Sequence, residues 1–376
     1  MNFRAGAKFQ CPICGNADMP LRDTIEKTWR HLNFFQYKCY IHMRTPRTEC
    51  PECGVHLITP SWARSGSGFT MLFEALVLTL AQSMPISDIA KLTGEYDTRL
   101  WRIIRNHVGK AYAEKDMSAV TAVGVDETSV HKGHRYISVF VDIKKHEVLY
   151  CTKGKDASTI KSFREELVKH KADAAKITKL SMDMSPAFIS GAAENLPKAE
   201  VTFDKFHVIK LLNEALDEVR RTEQKLNPLI TSTKYIWLKN PSNLTLKQKQ
   251  SLTTLSHENL HTAKAYQMKL TFQDIYAIIT GEAEAKAAIK KWLSWAVRSR
   301  LEPVKSFAKT LKEHLAGVLR YFSSRLTAGV SEGINSQIQQ IKARGKGFRN
   351  LENFISMIYL KLSGLLIPNV YVAHSN

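Results

Sequence analysis

The sequence has no long, uninterrupted apolar run. Glu74 interrupts the hydrophobic stretch at 71–84, and Lys361 and Pro368 interrupt the one at 354–373. A membrane-spanning helix needs about 20 consecutive, mostly apolar residues, so we expect no membrane span. The N-terminus contains Arg4, Lys8, Cys11 and Pro12 and has no apolar segment that could serve as an export signal. We therefore expect a soluble protein of the reducing cytoplasm.

Acidic residues are scarce relative to basic ones. The 376 residues include 54 Lys and Arg but only 35 Asp and Glu, which gives a formal net charge of +19. Residues 201–376 hold 26 basic and 13 acidic residues and so contribute +13 of that charge. A hydrophobic fraction of 44% is enough for buried cores and excludes a wholly disordered basic tail. The length predicts two to four domains, and the charge indicates an anionic partner such as nucleic acid, a membrane surface or the ribosome.

Cysteine is also rare, but four of the six cysteines form two matched pairs. The pairs are Cys11-Pro-Ile-Cys14-Gly and Cys50-Pro-Glu-Cys53-Gly. Two thiolates at this spacing can bind one tetrahedral ion, and the following glycine permits a tight turn. We predict a zinc ribbon over residues 1–60 with Zn²⁺ bound by these four cysteines. Paired disulfides or redox sites are the alternative, which a cytosolic setting disfavours.

Three further residues, two cysteines and a histidine, have side chains that could bind metal or pack in a core. Cys39 and His42 lie between the two pairs and could replace a ligand, although a place in the small core of the ribbon is the favoured interpretation. Cys151 ends a β-like run and is predicted to be a buried hydrophobic residue.

Residues 61–115 have the pattern of a helix-turn-helix domain. A helix from Met71 to Gln82 is followed by a short helix that ends at Gly94, and then by an amphipathic helix that begins with Asp97 as N-cap. Leu100, Ile103 and Ile104 recur at helical spacing on one face of this last helix. The remaining circumference carries Arg99, Arg102 and Arg105, which we predict to contact DNA. An ordinary amphipathic hairpin with a solvated basic side is the alternative.

From Ala119 onward the pattern predicts an α/β domain with a mixed sheet. The predicted strands are Val120–Val125, Tyr136–Ile143, Glu147–Thr152, Ile177–Met182 and Val201–Phe203, and Ala157–His170 is a predicted helix. Asp126 and Asp183 fall at or near the ends of apolar strands, where a carboxylate can reach a metal ion at the sheet edge. Asp204 satisfies the same criterion. This placement is common in α/β proteins, so alone it only suggests a site.

The segment from Ser324 to Phe354 resembles the signature that closes the catalytic core of DDE insertion-sequence transposases, most closely those of the ISL3 family. It contains Ser331-Glu332-Gly-Ile-Asn335 followed by Lys342-Ala-Arg344-Gly-Lys-Gly-Phe348-Arg349-Asn350. The blocks Val123-Gly-Val-Asp126-Glu127-Thr128, Ser181-Met-Asp183-Met-Ser185 and Phe203-Asp-Lys-Phe-His207 also resemble blocks of that family, in the same order. The cysteine pairs and the helix-turn-helix pattern match its N-terminal organisation. The resemblance thus covers nearly the whole chain.

This resemblance implies a multidomain α/β protein with a ribonuclease-H-like catalytic core. Asp126, Asp183 and Glu332 would hold two divalent ions, Mg²⁺ or Mn²⁺. The core would consist of residues 116–210 and the Glu-bearing segment 317–376, with a helical insertion at 211–316 between them.

The local sequence around Glu332 agrees with a helix that presents its acid to a metal ion. Ser331 is a plausible N-cap, and Ile334, Ile338 and Ile341 form one helical face. A second face contains Glu332, Asn335, Gln339 and Lys342. The basic residues Lys342, Arg344, Lys346 and Arg349 are predicted DNA-phosphate contacts, with a solvated basic loop as the alternative.

Three histidines lie near these acids in the sequence. His131 and His134 are interpreted as part of a polar turn, because two-metal sites need no histidine base. His207 either orients a carboxylate or substrate or is a satisfied core residue.

The resemblance further implies a transposase that binds the terminal inverted repeats of its insertion sequence and catalyses DNA strand cleavage and strand transfer. Its partner would be double-stranded DNA, at the transposon ends and at the target, and it would be nucleoid-associated. Pairing of two ends implies a homo-oligomer, at least a dimer. Two alternatives stay open: a catalytically inactive DNA-binding regulator derived from a transposase, and a ribonuclease-H-fold nuclease that cuts without joining.

Overall fold

A computed structural model describes residues 3–4, 6–131, 135–258, 260–324 and 329–368 of the chain. The chain forms two compact units, one of Met1–Lys115 with Gln340–Asn376 and one of Asp116–Gln339. The division falls within a single helix, so the predicted segment 317–376 is shared between the units. The turn predicted around His134, and Arg325–Ala328 of the signature segment, lie outside the described residues.

The first unit begins with a three-stranded antiparallel sheet in the order β1-β2-β3. Its strands are β1 (Leu21–Arg30), β2 (Tyr40–Cys50) and β3 (Gly54–Leu57). Trp29 is buried, and its ring meets that of Trp62 edge to face at a centroid distance of 5.0 Å. This small sheet therefore has its own aromatic contact and presents the two cysteine pairs at one end.

Three helices follow the sheet where the sequence predicts them. They are α1 (Met71–Ala81), α2 (Ile86–Thr93) and α3 (Asp97–Ala113). Gly94 ends α2 with a φ of 66°, in the left-handed region that favours glycine. The predicted N-cap of α3 is wrong by one residue: Tyr96 is the cap, and Asp97 is the first helical residue. Leu100, Ile103 and Ile104 are buried as predicted.

Glu74 of α1 is the buried polar centre of this helical domain. Its side chain is fully buried and accepts hydrogen bonds from Ser67 Oγ at 2.5 Å, His107 Nε2 at 2.6 Å and Arg64 Nη2 at 3.1 Å. Burial opposes ionisation, but these hydrogen bonds outweigh it and lower the pKa of Glu74 below 4.5. The charge that interrupts the apolar run is therefore a paired internal carboxylate.

The second unit contains a five-stranded mixed sheet in the order β6-β5-β4-β7-β8. The strands are β4 (Ala122–His131), β5 (Arg135–Asp142), β6 (Glu147–Lys153), β7 (Lys179–Met182) and β8 (Glu200–Phe203). β4, β5 and β6 are antiparallel neighbours, whereas β7 and β8 run parallel to β4. The helices α4 (Ala157–Lys169) and α5 (Pro186–Asn195) connect β6 to β7 and β7 to β8. This connectivity is ribonuclease-H-like and confirms the predicted mixed sheet.

The interval between β8 and the Glu332 region is helical, as predicted. It contains α6 (Lys205–Gln224), α7 (Lys234–Leu238), α8 (Leu246–Ser256), α9 (His261–Ile278), α10 (Glu282–Val297), α11 (Glu302–Glu313) and α12 (Leu315–Ser324). Phe272 lies at its aromatic centre, with ring centroids 4.9 Å from Trp292 and 5.7 Å from Phe307. Lys269 is fully buried and donates to the carbonyls of Trp237 and Leu238 at the end of α7.

Two helices complete the chain, α13 (Gly329–Arg344) and α14 (Leu351–Leu362). Ser331 lies inside α13, two residues after its first residue, so its predicted role as N-cap is wrong. Ile334, Ile338 and Ile341 are buried as predicted. Within the described part of the chain, no helix is both long enough and apolar enough to cross a membrane.

Candidate active site and metal centre

The four cysteines of the two predicted pairs converge on one point. The sulfur atoms of Cys11, Cys14, Cys50 and Cys53 all lie within 4.8 Å of one another, and the Cys14–Cys50 distance is 3.6 Å. Tetrahedral Zn²⁺ with zinc–sulfur bonds of about 2.3 Å requires sulfur separations of about 3.8 Å. No disulfide joins them. The geometry therefore fits a four-thiolate zinc site.

The backbone of the first pair favours a thiolate. Hydrogen bonds from the backbone of Cys14 and Ile13 lower the pKa of Cys11 from 9.0 to about 6. Gly15 and Gly54, which follow the two pairs, have φ values of 78° and 82°, so each chain turn requires the left-handed conformation. The predicted glycine turns are confirmed.

Cys39 and His42 do not join this cluster in the described residues. His42 lies on β2, where its Nδ1 atom is 2.8 Å from Thr28 Oγ1 of the neighbouring strand β1. Cys151 is buried in β6, and burial raises the pKa of its thiol, as expected for a core residue.

The three arginines predicted to bind DNA have different surroundings. Arg99 forms an ion pair with Glu95, and its guanidinium lies 4.4 Å from the ring centroid of Phe69. Arg105 forms a longer ion pair with Glu352, at 3.4 Å. Arg102 is exposed and lines a depression with Arg64 and Arg99. Of the three, Arg102 is the one that has no ion pair with a carboxylate among the described residues.

Asp126 lies in the middle of a strand. β4 continues past it to His131, and Asp126 pairs with Val139 of β5, so the prediction that the strand ends at Val125 is wrong. The reason is that the polar residues after Asp126 are paired through the β4–β5 hairpin ladder. Its side chain is 20% exposed and projects from the sheet beside α13.

Three contacts align β4 with α13. Asn335 Nδ2 donates to Asp126 Oδ2 at 2.6 Å, and Gln339 Nε2 donates to Thr128 Oγ1 at 2.6 Å. Two residues before Asp126 on the strand, and four residues before Asn335 on the helix, Gly124 faces Ser331. A Cβ atom at position 124 would overlap the Ser331 hydroxyl. Alternate residues of the strand thus face every fourth residue of the helix, positions that lie on one side of each element. We call these contacts the β4–α13 ladder.

The ladder positions Glu332 near the acids of the sheet. Burial, and then the negative charges of Asp204 and Asp126, raise the pKa of Glu332. The adjacent Asn335 leaves a polar atom unused: its Oδ1 is buried and has no hydrogen-bond partner in the described residues. An unpaired carbonyl oxygen beside carboxylates is a hard oxygen donor of the kind that Mg²⁺ prefers.

Two further aspartates follow the parallel strands. Asp183 comes directly after β7, and its Oδ1 accepts from the Ser185 amide at 2.9 Å. Asp204 comes directly after β8, is 3% exposed and caps α6 by accepting from the Phe206 amide at 3.1 Å. The ends of parallel strands lie at one edge of a sheet, which is where these acids meet β4.

His207 lies among the acids. Its Nε2 is 3.7 Å from Asp126 Oδ1 and 3.8 Å from Asp204 Oδ2. The contact with Asp126 is the main cause of a raised pKa of His207, and Asp204 and Asp183 raise it further. Asp183 and Asp126 also raise the pKa of Glu127, after the larger effect of burial. These shared effects show that the acids occupy one electrostatic environment.

The acids at this edge are spread more widely than the ligands of a single ion. Among the described residues, only the four cysteines bring three or more such ligand atoms within 4.8 Å of one another. Two ions about 3.5–4 Å apart need a broader set of ligands than one ion does. The oxygen chemistry of these side chains is of the kind that hard cations prefer.

The predicted basic residues belong to the first unit. Lys342 and Arg344 end α13, and Lys346 and Arg349 lie in the loop before α14. Arg344, Lys346 and Arg349 are exposed, as a phosphate contact requires. The sequence did not indicate that they share a compact unit with the helix-turn-helix.

Comparisons with known proteins place these features in one class. Residues 7–53 match the zinc-finger of the transposases of IS204, IS1001, IS1096 and IS1165, and residues 58–108 match the helix-turn-helix domain of transposase family ISL3. Residues 123–358 match the DDE transposase model of the same family. The protein is a transposase, an enzyme that acts on DNA, with a zinc ribbon, a helix-turn-helix and a ribonuclease-H-like core. The chain belongs to the ISL3 family.

Curated relatives are similar over almost the whole chain. The transposase for insertion sequence element IS1557 of Mycobacterium tuberculosis is 26% identical over 96% of this chain and 87% of its own length. The transposase for insertion sequence element IS1001 of Bordetella parapertussis is 27% identical over 94% of this chain and 89% of its own length. The Drosophila P element transposase strand transfer complex has a TM-score of only 0.40, at 11% identity over 75% of this chain and 89% of that one.

Proposed function

We propose that Asp126, Asp183 and Glu332 hold two Mg²⁺ or Mn²⁺ ions and form the centre for DNA strand cleavage and strand transfer. The observation that carries this proposal is the hydrogen bond from Asn335 to Asp126, which joins the Glu332 helix to the Asp126 strand. Two metal ions held by these carboxylates would supply activation of the attacking water and stabilisation of charge on the entering and leaving oxygens. Carboxylates suit these hard ions better than His or Cys does.

The residues of this chain then have distinct roles. Asn335 donates to one oxygen of Asp126, and the second oxygen accepts from the Glu127 amide at 2.7 Å and faces His207. His207 is a positioning residue between Asp126 and Asp204. Asp204 is buried and capped into α6, so it supports the site from beneath.

The N-terminal part would recognise the DNA ends. Residues 1–60, with Zn²⁺, and residues 61–115 would bind the terminal inverted repeat, with Arg102 as the principal contact and Arg99 and Arg105 beside it. Lys342, Arg344, Lys346 and Arg349 would bind phosphates. Phosphate contacts supply affinity without reading sequence, so base contacts from the helix-turn-helix would supply specificity. Pairing of two transposon ends would require a homo-oligomer, at least a dimer.

One assay tests this proposal against its alternatives. The protein is incubated with Mg²⁺ and a duplex that carries the terminal repeat of its own element. End cleavage with joining supports the transposase mechanism. Binding without cleavage would identify an inactive regulator, and cleavage without joining would identify a nuclease.

A further inference from the structure

The first unit contains a cavity of about 340 Å³ between the helix-turn-helix and the segment 341–361. This volume lies at the lower end of the range for small-ligand pockets, roughly 300–1,000 Å³. Both aromatic and basic side chains line it. Trp101 of α3 and Phe348 of the loop before α14 meet edge to face, with centroids 6.1 Å apart. Phe348 is also fixed by Phe354, at 5.0 Å.

Three cations line the cavity without acidic partners. No ion pair joins Arg344, Arg349 or Lys361 to a carboxylate in the described residues. Burial, and then the charge of Arg344, lower the pKa of Lys361, so these two cations lie close enough to repel. Asp97 is the one acidic residue of the lining, and its Oδ1 already accepts from the Thr98 amide. An anion in the cavity would relieve this repulsion.

The cavity also contains an unsatisfied polar atom. Asn353 lines it, and its Oδ1 is buried and has no hydrogen-bond partner in the described residues. Buried polar atoms are normally hydrogen-bonded, so each exception requires an explanation. An N–H donor from a ligand would satisfy this oxygen, whereas a simple anion has no donor to offer.

An aromatic ring, unpaired cations and an unsatisfied amide oxygen together match the parts of a nucleotide. We propose that this cavity holds one unstacked nucleotide of a DNA strand. Its phosphate contacts Arg344, Arg349 and Lys361, and its base lies against Trp101 and donates to Asn353. Aromatic stacking and hydrogen bonds to the base edge are how proteins hold extrahelical bases. This site rests on the proposed function, since it requires that the protein bind DNA ends.

The proposal is tested with the full-length protein and two forms of the terminal-repeat duplex. One form has a blunt end and the other has an unpaired nucleotide at its end, with 2-aminopurine as the unpaired base. Binding is measured by titration, and stacking is measured by the 2-aminopurine fluorescence. We expect wild-type protein to prefer the unpaired form and to quench its fluorescence.

Variants assign the preference to the cavity. Trp101→Leu should abolish the quenching and weaken binding of the unpaired form roughly 5- to 150-fold, the range for loss of one stacked base. Arg349→Ala changes an exposed side chain that has no ion-pair partner among the described residues, so it should weaken binding of the unpaired form without affecting folding. Tyr235→Ala and Lys247→Ala remove an exposed aromatic residue and an exposed cation from the other unit, and they should leave both readouts unchanged.

The outcomes separate the two proposals. If blunt duplex is bound and cleaved but 2-aminopurine is not quenched, or if an abasic end binds as tightly as the unpaired base, the cavity does not hold a nucleotide. If neither form is bound or cleaved, the proposed function itself fails. If wild type and Arg349→Ala bind the unpaired form equally tightly, Arg349 does not contact the phosphate of the nucleotide in the cavity.

Discussion

Asn335→Ala tests the contact on which the proposed active site depends. The substitution removes the 2.6 Å hydrogen bond from the Asn335 amide to Asp126 Oδ2. A hydrogen bond to a charged group contributes about 1.5–3 kcal/mol, and each 1.4 kcal/mol corresponds to a factor of ten. If that energy holds Asp126 in its metal-binding orientation, cleavage should fall about 10- to 150-fold.

The assay is single-turnover cleavage of a terminal-repeat duplex as a function of Mg²⁺ concentration. A loosened Asp126 should bind metal more weakly, so the defect should be larger at low Mg²⁺ than at saturation. DNA binding should be unchanged, because the contact belongs to the second unit and the helix-turn-helix belongs to the first. A defect that is independent of Mg²⁺ would argue for a general loss of folding.

Gln339→Ala is the matched control. It removes a hydrogen bond of the same length, one turn along α13, but its partner is the hydroxyl of Thr128 rather than a carboxylate. We expect a stability loss of about 0.5–1.5 kcal/mol, as for a neutral hydrogen bond, and no change in the Mg²⁺ dependence. The reasoning is refuted if Asn335→Ala and Gln339→Ala have the same Mg²⁺ profile, or if Asn335→Ala cleaves within twofold of wild type at every concentration.

Three further predictions concern the proposed metal-binding acids, the zinc site and the buried Glu74. Asp126→Asn, Asp183→Asn and Glu332→Gln should each abolish cleavage in the duplex assay while a gel-shift assay still detects binding; full activity would exclude that residue. Chelation of Zn²⁺ should unfold residues 1–60 and weaken end binding, whereas unchanged circular dichroism and binding would contradict the zinc role. Glu74→Gln should destabilise the first unit by about 3–5 kcal/mol in urea, because it leaves buried partners unpaired. Because the pKa of Glu74 is lowered in the folded state, its contribution to the free energy of unfolding is complete above pH 4.5 and is lost as the pH falls through the folded pKa. The free energy of unfolding of Glu74→Gln should therefore depend less on pH than that of the wild type in this acidic range.

Local sequence patterns predict those features of the fold that depend on one or a few neighbouring residues. The turns at Gly15 and Gly54 and the end of α2 at Gly94 each depend on one glycine with a positive φ, so they could be predicted from the sequence. Element ends were less predictable where tertiary contacts extend them. β4 runs beyond Asp126 because its polar residues are paired with β5, and α13 begins before Ser331. Neither effect has a local sequence signal.

The charge pattern of the sequence indicates that the partner is anionic, but it does not show which individual side chains form ion pairs with one another. Arg99 and Arg105 follow the helical period of a basic face, yet each contacts a specific glutamate, one of them more than 240 residues away in sequence. The cysteine cluster was predictable because the chemistry of one tetrahedral ion constrains four residues at once. Arginine has no such constraint, so its partners are set by the fold.

The β4–α13 ladder shows why one part of the candidate site could not be predicted. The sequence placed Asn335 and Glu332 on one helical face, but the ladder uses the residues Ser331, Asn335 and Gln339, separated by four positions. Two residues of a strand advance about 6.7 Å and four residues of a helix about 6.0 Å, so the two repeats stay aligned for only a few steps. The match joins β4 and α13 at one register, between residues about 200 positions apart in the sequence. Side-chain periodicity can identify each face, but only the fold selects which faces meet.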